Sequence, residues 1–189
     1  MTALPAWTQL PTDGLTVAGY EALPEEICRR IEVVDGAIVL NASPRRPHQR
    51  IVRRLANLLE SVCGGDLVVD FDVDLRLRDV PLLNRRPDVV VYASAISGDE
   101  VLRPEHCVLV VEVMSPGSIT ADQIDKPGEY AVAGIEHFWR VEQSDDGALT
   151  VFRYRLDPTT RIYASAGIST DKLTVTDPFS IAVDLADLV

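Results

Sequence analysis

Hydrophobic and polar positions follow two different periods along this chain, and each change of period marks a new element. Between 67 and 79, LVVDFDVDLRLRD alternates strictly: Val69, Phe71, Val73, Leu75 and Leu77 share one face, while Asp70, Asp72, Asp74, Arg76 and Arg78 share the other. A period of two predicts one half-exposed strand with an antiparallel neighbour. Two later runs, VVVY after Asp88 and VLVVEV before Met114, are apolar without alternation. Short Val-rich runs bounded by Pro and Gly predict strands covered on both faces. IEVVDGAIVL predicts a hairpin, because Asp35-Gly36 is the favoured two-residue turn chemistry between Val/Ile runs. EHFWRVE, ALTVFRYRL and TRIYASAG predict three more strands, joined by Asp-Asp-Gly and Asp-Pro turns.

Helical spacing appears in fewer places. Ile51, Leu55, Leu58 and Val62 recur at four and three, the buried stripe of a helix of about 15 residues that Gly64-Gly65 ends. Arg46, Arg50, Arg54 and Asn57 line a neighbouring face, and His48 lies one turn ahead of Ile51 and Val52, tilted toward the sheet. A second helix is predicted from Asp125 to Ala133, stopped by Gly134. Thr16 can cap a short helix over VAGYEAL, and Pro24 can open another over PEEICRR. A loop containing Pro81 and Asn84 precedes the two apolar strands, and IAVDLADLV adds a short strand and turn at the end. The order of elements predicts an α+β (α/β) domain over 16–189, with one mixed central β-sheet flanked by helices and a lead-in over 1–15.

Composition narrows the class. A chain of 189 residues with 47% hydrophobic content can bury one sizeable core, and it shows no repeat period. The N-terminus lacks a basic segment followed by an apolar one, and no apolar stretch approaches the roughly 20 residues of a membrane span. A cytoplasmic location and no membrane partner are therefore expected. Cys28, Cys63 and Cys107 form no CxxC pair, so reduced thiols are expected and a zinc knuckle is not. The formal charge of −11 argues against indiscriminate adhesion to nucleic acid. Arg45, Arg46, Arg50, Arg53 and Arg54, with Arg85 and Arg86, are the basic concentrations, which suit either a solvated face or phosphate contacts. With 6% aromatics, no platform of interleaved aromatic and basic residues for single strands is visible.

Two carboxylates stand out because a buried strand has little use for them. Asp88 opens the first apolar run after Pro87, and Glu112 closes the second before Ser115-Pro116-Gly117. Buried carboxylates must be paired, hydrogen-bonded or bound to a cation. Two such strands side by side would bring the acids together, and a divalent metal would relieve their repulsion. Glu32 interrupts the apolar face of the hairpin and is either part of this site or paired with an arginine such as Arg30 or Arg54.

The ordered blocks RIEVVDG, SPRRPHQRIVRRL, RPDVVV, VLVVEVMSPGS and DKPGEYAVAGIEHFWRVE resemble the Uma-two family, a branch of the PD-(D/E)xK nuclease superfamily. The resemblance spans roughly residues 16 to 185. It implies a restriction-endonuclease-like core, phosphodiester cleavage of DNA dependent on Mg²⁺ or Mn²⁺, and pairing as a homodimer. It places the family's Pro-Asp on Pro87-Asp88 and its second acid on Glu112. The superfamily's lysine position two residues on holds Met114, and the branch's displaced lysine falls on Lys126. The early hairpin acid falls on Glu32, and the histidine after the Ser-Pro loop falls on His48, while Tyr130 and Trp139 match positions that look structural. In that reading Asp88, Glu112, Lys126 and Glu32 are catalytic, and Asp88, Glu112 and the Val113 carbonyl hold the metal. His48, Arg45, Arg46, Arg50 and Arg86 would face nucleic acid.

Three functional classes remain open on the sequence. One is a metal-dependent DNA endonuclease. Another keeps the fold as a nucleic-acid or partner-binding module, given the acidity and Pro127 directly after Lys126. A third is a metal-free hydrolase using Asp88 and Glu112 as acid and base, for which no aromatic-rich cleft is visible.

Overall fold

The structure, a computed structural model, describes residues 14–41, 44–114 and 124–189. Most of the expected lead-in over 1–15 and the Ser115-Pro116-Gly117 turn lie outside the described residues. The α+β class holds, with its strands divided among three sheets.

The largest sheet runs β10-β9-β8-β7-β6-β3. Its members are β3 (Leu67–Asp70), β6 (Val89–Ala93), β7 (Cys107–Val113), β8 (His137–Gln143), β9 (Leu149–Asp157) and β10 (Ile162–Ser169). Its pairings are antiparallel except β7 with β8, which is parallel and makes the sheet mixed. A parallel pair cannot be closed by a hairpin, so the intervening chain must cross a face of the sheet. Helix α4 (Lys126–Ala133) lies in that crossover, and Gly134 ends it in the left-handed region at φ 94°.

Both apolar strands are covered on both faces, as their unbroken Val runs predict. On one side Val89, Val91, Val111 and Val113 pack against Ile51, Val52, Leu55, Ala56 and Leu59 of α3 (Arg46–Val62). On the other, Val90 and Val110 meet Tyr130, Ile135 and Phe138. The buried stripe of α3 is rotated from the expected one: Leu58 and Val62 sit at its half-buried margin, while Val52, Ala56 and Leu59 fill the centre.

The second sheet runs β2-β1-β5-β4, with β1 (Ile31–Val34), β2 (Ala37–Leu40), β4 (Leu75–Arg78) and β5 (Leu83–Arg85). Asp35 and Gly36, at φ 51° and 80°, supply the two left-handed positions that the expected hairpin turn requires. Helices α1 (Val17–Glu21) and α2 (Glu25–Cys28) form as expected, and the Thr16 hydroxyl accepts from Gly19 N at 3.2 Å.

Three expectations fail here. The alternating stretch over 67–79 is not a single strand: it leaves the large sheet after Asp70, turns at Asp72 with φ 55°, and rejoins the smaller sheet at Leu75. The Arg86 guanidinium binds Asp72 and Asp74, so the polar face of the pattern serves an internal ion pair at a bend. The supposed loop around Asn84 is β5, with Asn84 fully buried. A third sheet pairs β11 (Lys172–Val175) with β12 (Ile181–Asp184), where a single strand was expected.

Arg85 ends a strand of one sheet and Val89 begins a strand of the other. The residues 85–88 are the seam between the sheets, and the acids gather there. No described helix is long and apolar enough to cross a membrane.

Candidate active site

Register brings the two acids level. In the antiparallel β6–β7 pair Val89 stands opposite Val111, so Asp88, just before β6, comes beside Glu112. The Asp88 carboxylate reaches across the seam, where its Oδ2 accepts a hydrogen bond from Val113 N at 2.7 Å. His48, in the first turn of α3, closes the same corner: its Nε2 lies 2.9 Å from the Val113 carbonyl oxygen and 3.3 Å from Asp88 Oδ2. A carbonyl only accepts, so Nε2 carries a proton in this arrangement.

Glu112 points to the opposite side of β7 and is 1% exposed. Its Oε2 accepts from Lys126 Nζ at 2.9 Å and its Oε1 from the Tyr130 hydroxyl at 2.6 Å. Lys126 and Tyr130 are four apart on α4, the spacing that stacks two side chains on one helix face. Pro127 does not interfere, because in the first turn of a helix its missing N–H would have had no partner.

Glu32, on β1, completes the group from the second sheet. Its Oε2 accepts from Arg85 at 2.9 Å, its Oε1 accepts from Arg86 N at 3.0 Å, and Oε1 lies 3.6 Å from Lys126 Nζ. Glu32 does pair with an arginine, though with Arg85 rather than Arg30 or Arg54, and it also lies beside Lys126 of the candidate site. Arg85 also forks onto Glu129 of α4, donating to both carboxylate oxygens at 2.6 and 2.7 Å. Planar bidentate pairing of this kind is specific to arginine.

The electrostatics follow from burial and neighbours. Burial, with the nearby charges of Glu112 and Glu32, pushes the Tyr130 hydroxyl well above its ordinary pKa, so it stays a proton donor to Glu112. For Arg85 burial alone would lower the pKa, but Glu129 and Glu32 outweigh it and hold the guanidinium charged. In formal charge, Glu112, Glu32 and Glu129 face Lys126 and Arg85 among the described residues, an excess of one negative charge, and Asp88 faces His48.

Among the described residues no group of three His, Cys, Asp or Glu could hold a metal ion. Asp88 beside Val113, the Val113 carbonyl, and Glu112 on the other side of β7 are hard oxygen donors, and each carboxylate oxygen has a second lone pair beyond the bond it accepts. Magnesium suits such a partial set because it keeps several of its waters.

Residues 17–186 match the Uma2 family model, described as "Putative restriction endonuclease". The chain belongs to this family. Among solved structures it is similar to a protein from Anabaena variabilis ATCC 29413, described as "a putative nuclease belonging to DUF820". The two share 16% identity and a TM-score of 0.68 over 92% of this chain and 96% of that one, a likeness of fold. No curated protein matches.

Within this Uma2 chain the site has members that sequence reasoning missed. Arg85 was grouped with Arg86 as basic surface, although its side chain is 4% exposed and spent on two acids. Arg86, expected to face nucleic acid, is turned inward onto Asp72 and Asp74 with its side chain 7% exposed. Tyr130 matches a position that looks structural, yet its place one turn after Lys126 signals that it shares the lysine's target, Glu112. Arg45, Arg46 and Arg50 are exposed as expected, whereas His48 faces Asp88 and the Val113 carbonyl.

Proposed function

We propose that this chain is a Mg²⁺- or Mn²⁺-dependent endonuclease that hydrolyses DNA phosphodiester bonds. The observation that carries the reading is Asp88 bound to the Val113 amide directly after Glu112, whose carboxylate takes Lys126, in a chain of the Uma2 family. Asp88, Glu112 and the Val113 carbonyl would hold the metal, and His48 fixes that carbonyl from the helix side. Bound there, the ion would acidify a water and offset charge developing on the phosphate. Lys126 would orient the attacking water and stabilise the developing charge. Glu32, through its contact with Lys126, sets where that amine points. Arg45, Arg46 and Arg50 would hold the backbone of the substrate. The reading includes a homodimer in the cytoplasm, and the three free cysteines accord with a reducing compartment.

A second reading, a nuclease fold used for binding alone, has one observation in its favour: both Glu112 oxygens already accept hydrogen bonds. Plasmid nicking decides between them. Cleavage should require Mg²⁺ or Mn²⁺ and vanish in Asp88→Asn and in Glu112→Gln, and cleavage that survives both substitutions belongs to a contaminant.

A further inference from the structure

The exposed arginines of α3 are not a featureless basic surface. Arg46, Gln49, Arg50 and Arg53 follow the i, i+3, i+4, i+7 spacing that puts them on one flank of the helix. With Pro44 and Phe71 they line a groove of about 370 Å³, the size range of small-ligand sites. Phe71 is 50% exposed there, an aromatic ring presented to solvent although the alternating pattern groups it with Val69, Val73 and Leu75.

Three features distinguish this groove from chance. Arg46, Arg50 and Arg53 form no ion pair among the described residues, whereas Arg76, Arg85, Arg86 and Arg103 are each matched to a carboxylate. The acids beside Phe71 are occupied: Asp70 accepts from the Tyr92 hydroxyl at 2.6 Å and Asp72 is bound by Arg86. The ring also sits next to the candidate site, because Phe71 follows the Asp70–Val90 pair and Asp88 lies two residues before Val90.

We infer that the Phe71 and arginine groove binds a single-stranded stretch of nucleic acid, with an unpaired base stacked on Phe71 and its phosphates on Arg46, Arg50 and Arg53. A stacked base exposes its π-face only when it is out of a duplex, so an isolated ring flanked by unmatched cations suits a strand with splayed bases. The groove thereby names the substrate class of the proposed nuclease, a single-stranded or locally unwound strand, and to that extent the inference rests on the nuclease reading.

Fluorescence anisotropy with the full chain in EDTA tests binding apart from cleavage. A labelled short oligothymidylate should bind more tightly than a duplex of equal length. Phe71→Ala should weaken oligothymidylate binding by roughly tenfold or more, the scale of one base–aromatic stack, while its melting temperature stays that of the parent. Arg50→Ala and Arg53→Ala should each lower the slope of log affinity against log salt by about 0.7, the share of one phosphate contact on a single strand. Equal binding of duplex and single strand, or an unchanged affinity in a folded Phe71→Ala protein, would overturn the inference while leaving metal-dependent nicking intact. Single-strand binding without any nicking would instead uphold the groove and reject the nuclease.

Discussion

The amine of Lys126 lies 2.9 Å from Glu112 Oε2, at the start of a helix that follows Glu112 in the chain across a sheet crossover. A lysine two residues after the acid would come from the same strand. Here Met114 holds that position, and the cation arrives from α4 instead. The crossover demanded by the parallel β7–β8 pair is what delivers it.

Replacing Lys126 therefore separates chemistry from binding. Lys126→Ala is predicted to slow metal-dependent nicking at least about tenfold, equivalent to ~1.4 kcal/mol of transition-state stabilisation. Initial nicking rates under saturating metal provide the measurement. An unchanged rate would remove Lys126 from the mechanism.

Arg85 is expected to matter for stability, because it is a buried charge with two buried or half-buried partners, Glu32 and Glu129. Removing one member of such a group leaves the others uncompensated, a loss of about 3–5 kcal/mol. Urea unfolding of Arg85→Met should show a lower midpoint of that order. The double variant Arg85→Met, Glu129→Gln should be less destabilised than the sum of its parts, since one stranded charge is gone. Strict additivity would show that the two side chains are not coupled.

What the sequence made legible was whatever local pattern decides. The β1–β2 hairpin, the ends of α4, the two double-faced strands and the run β8, β9, β10 all follow from turn chemistry, Gly positions or period. The division of the strands among three sheets was not legible. Residues 67–79 carry a perfect period of two, yet the chain bends at Asp72 because Arg86, distant in sequence, supplies the charge that Asp72 and Asp74 need. The same limit hid Arg85. Nothing local distinguishes it from Arg86, and only the sheet seam decides that one reaches Glu32 while the other reaches Asp74. Asp88 and Glu112 were readable because each is a charge in an otherwise apolar run, a local anomaly that asks for a partner.

The hydroxyl of Tyr130 gives a pH signature. Its pKa in the folded chain is raised above the ordinary value of 10.0, chiefly by burial and then by Glu112. A group raised on folding contributes stability that is complete below its unfolded pKa and is lost as pH rises through its folded one. The free energy of unfolding should therefore decline above pH 10 and decline less steeply in Tyr130→Phe. Tyr20 and Tyr163 are raised as well, so the variant keeps part of the decline. Identical pH slopes for parent and variant would mean that Tyr130 is not held protonated by its surroundings.

Asp88 offers the most direct test of the metal. It is the acid whose carboxylate meets both Val113 N and His48. A ligand that binds only the folded chain stabilises it by RT ln(1 + [L]/Kd), about 2.7 kcal/mol at a hundred times Kd. Titrating Mn²⁺ should thus raise the melting temperature of the parent protein in a saturable way and leave Asp88→Asn unmoved. The Asn side chain keeps an oxygen for Val113 N, so the fold of the corner survives while the charge that attracts the ion is lost. Parallel shifts in both proteins would place the ion away from Asp88.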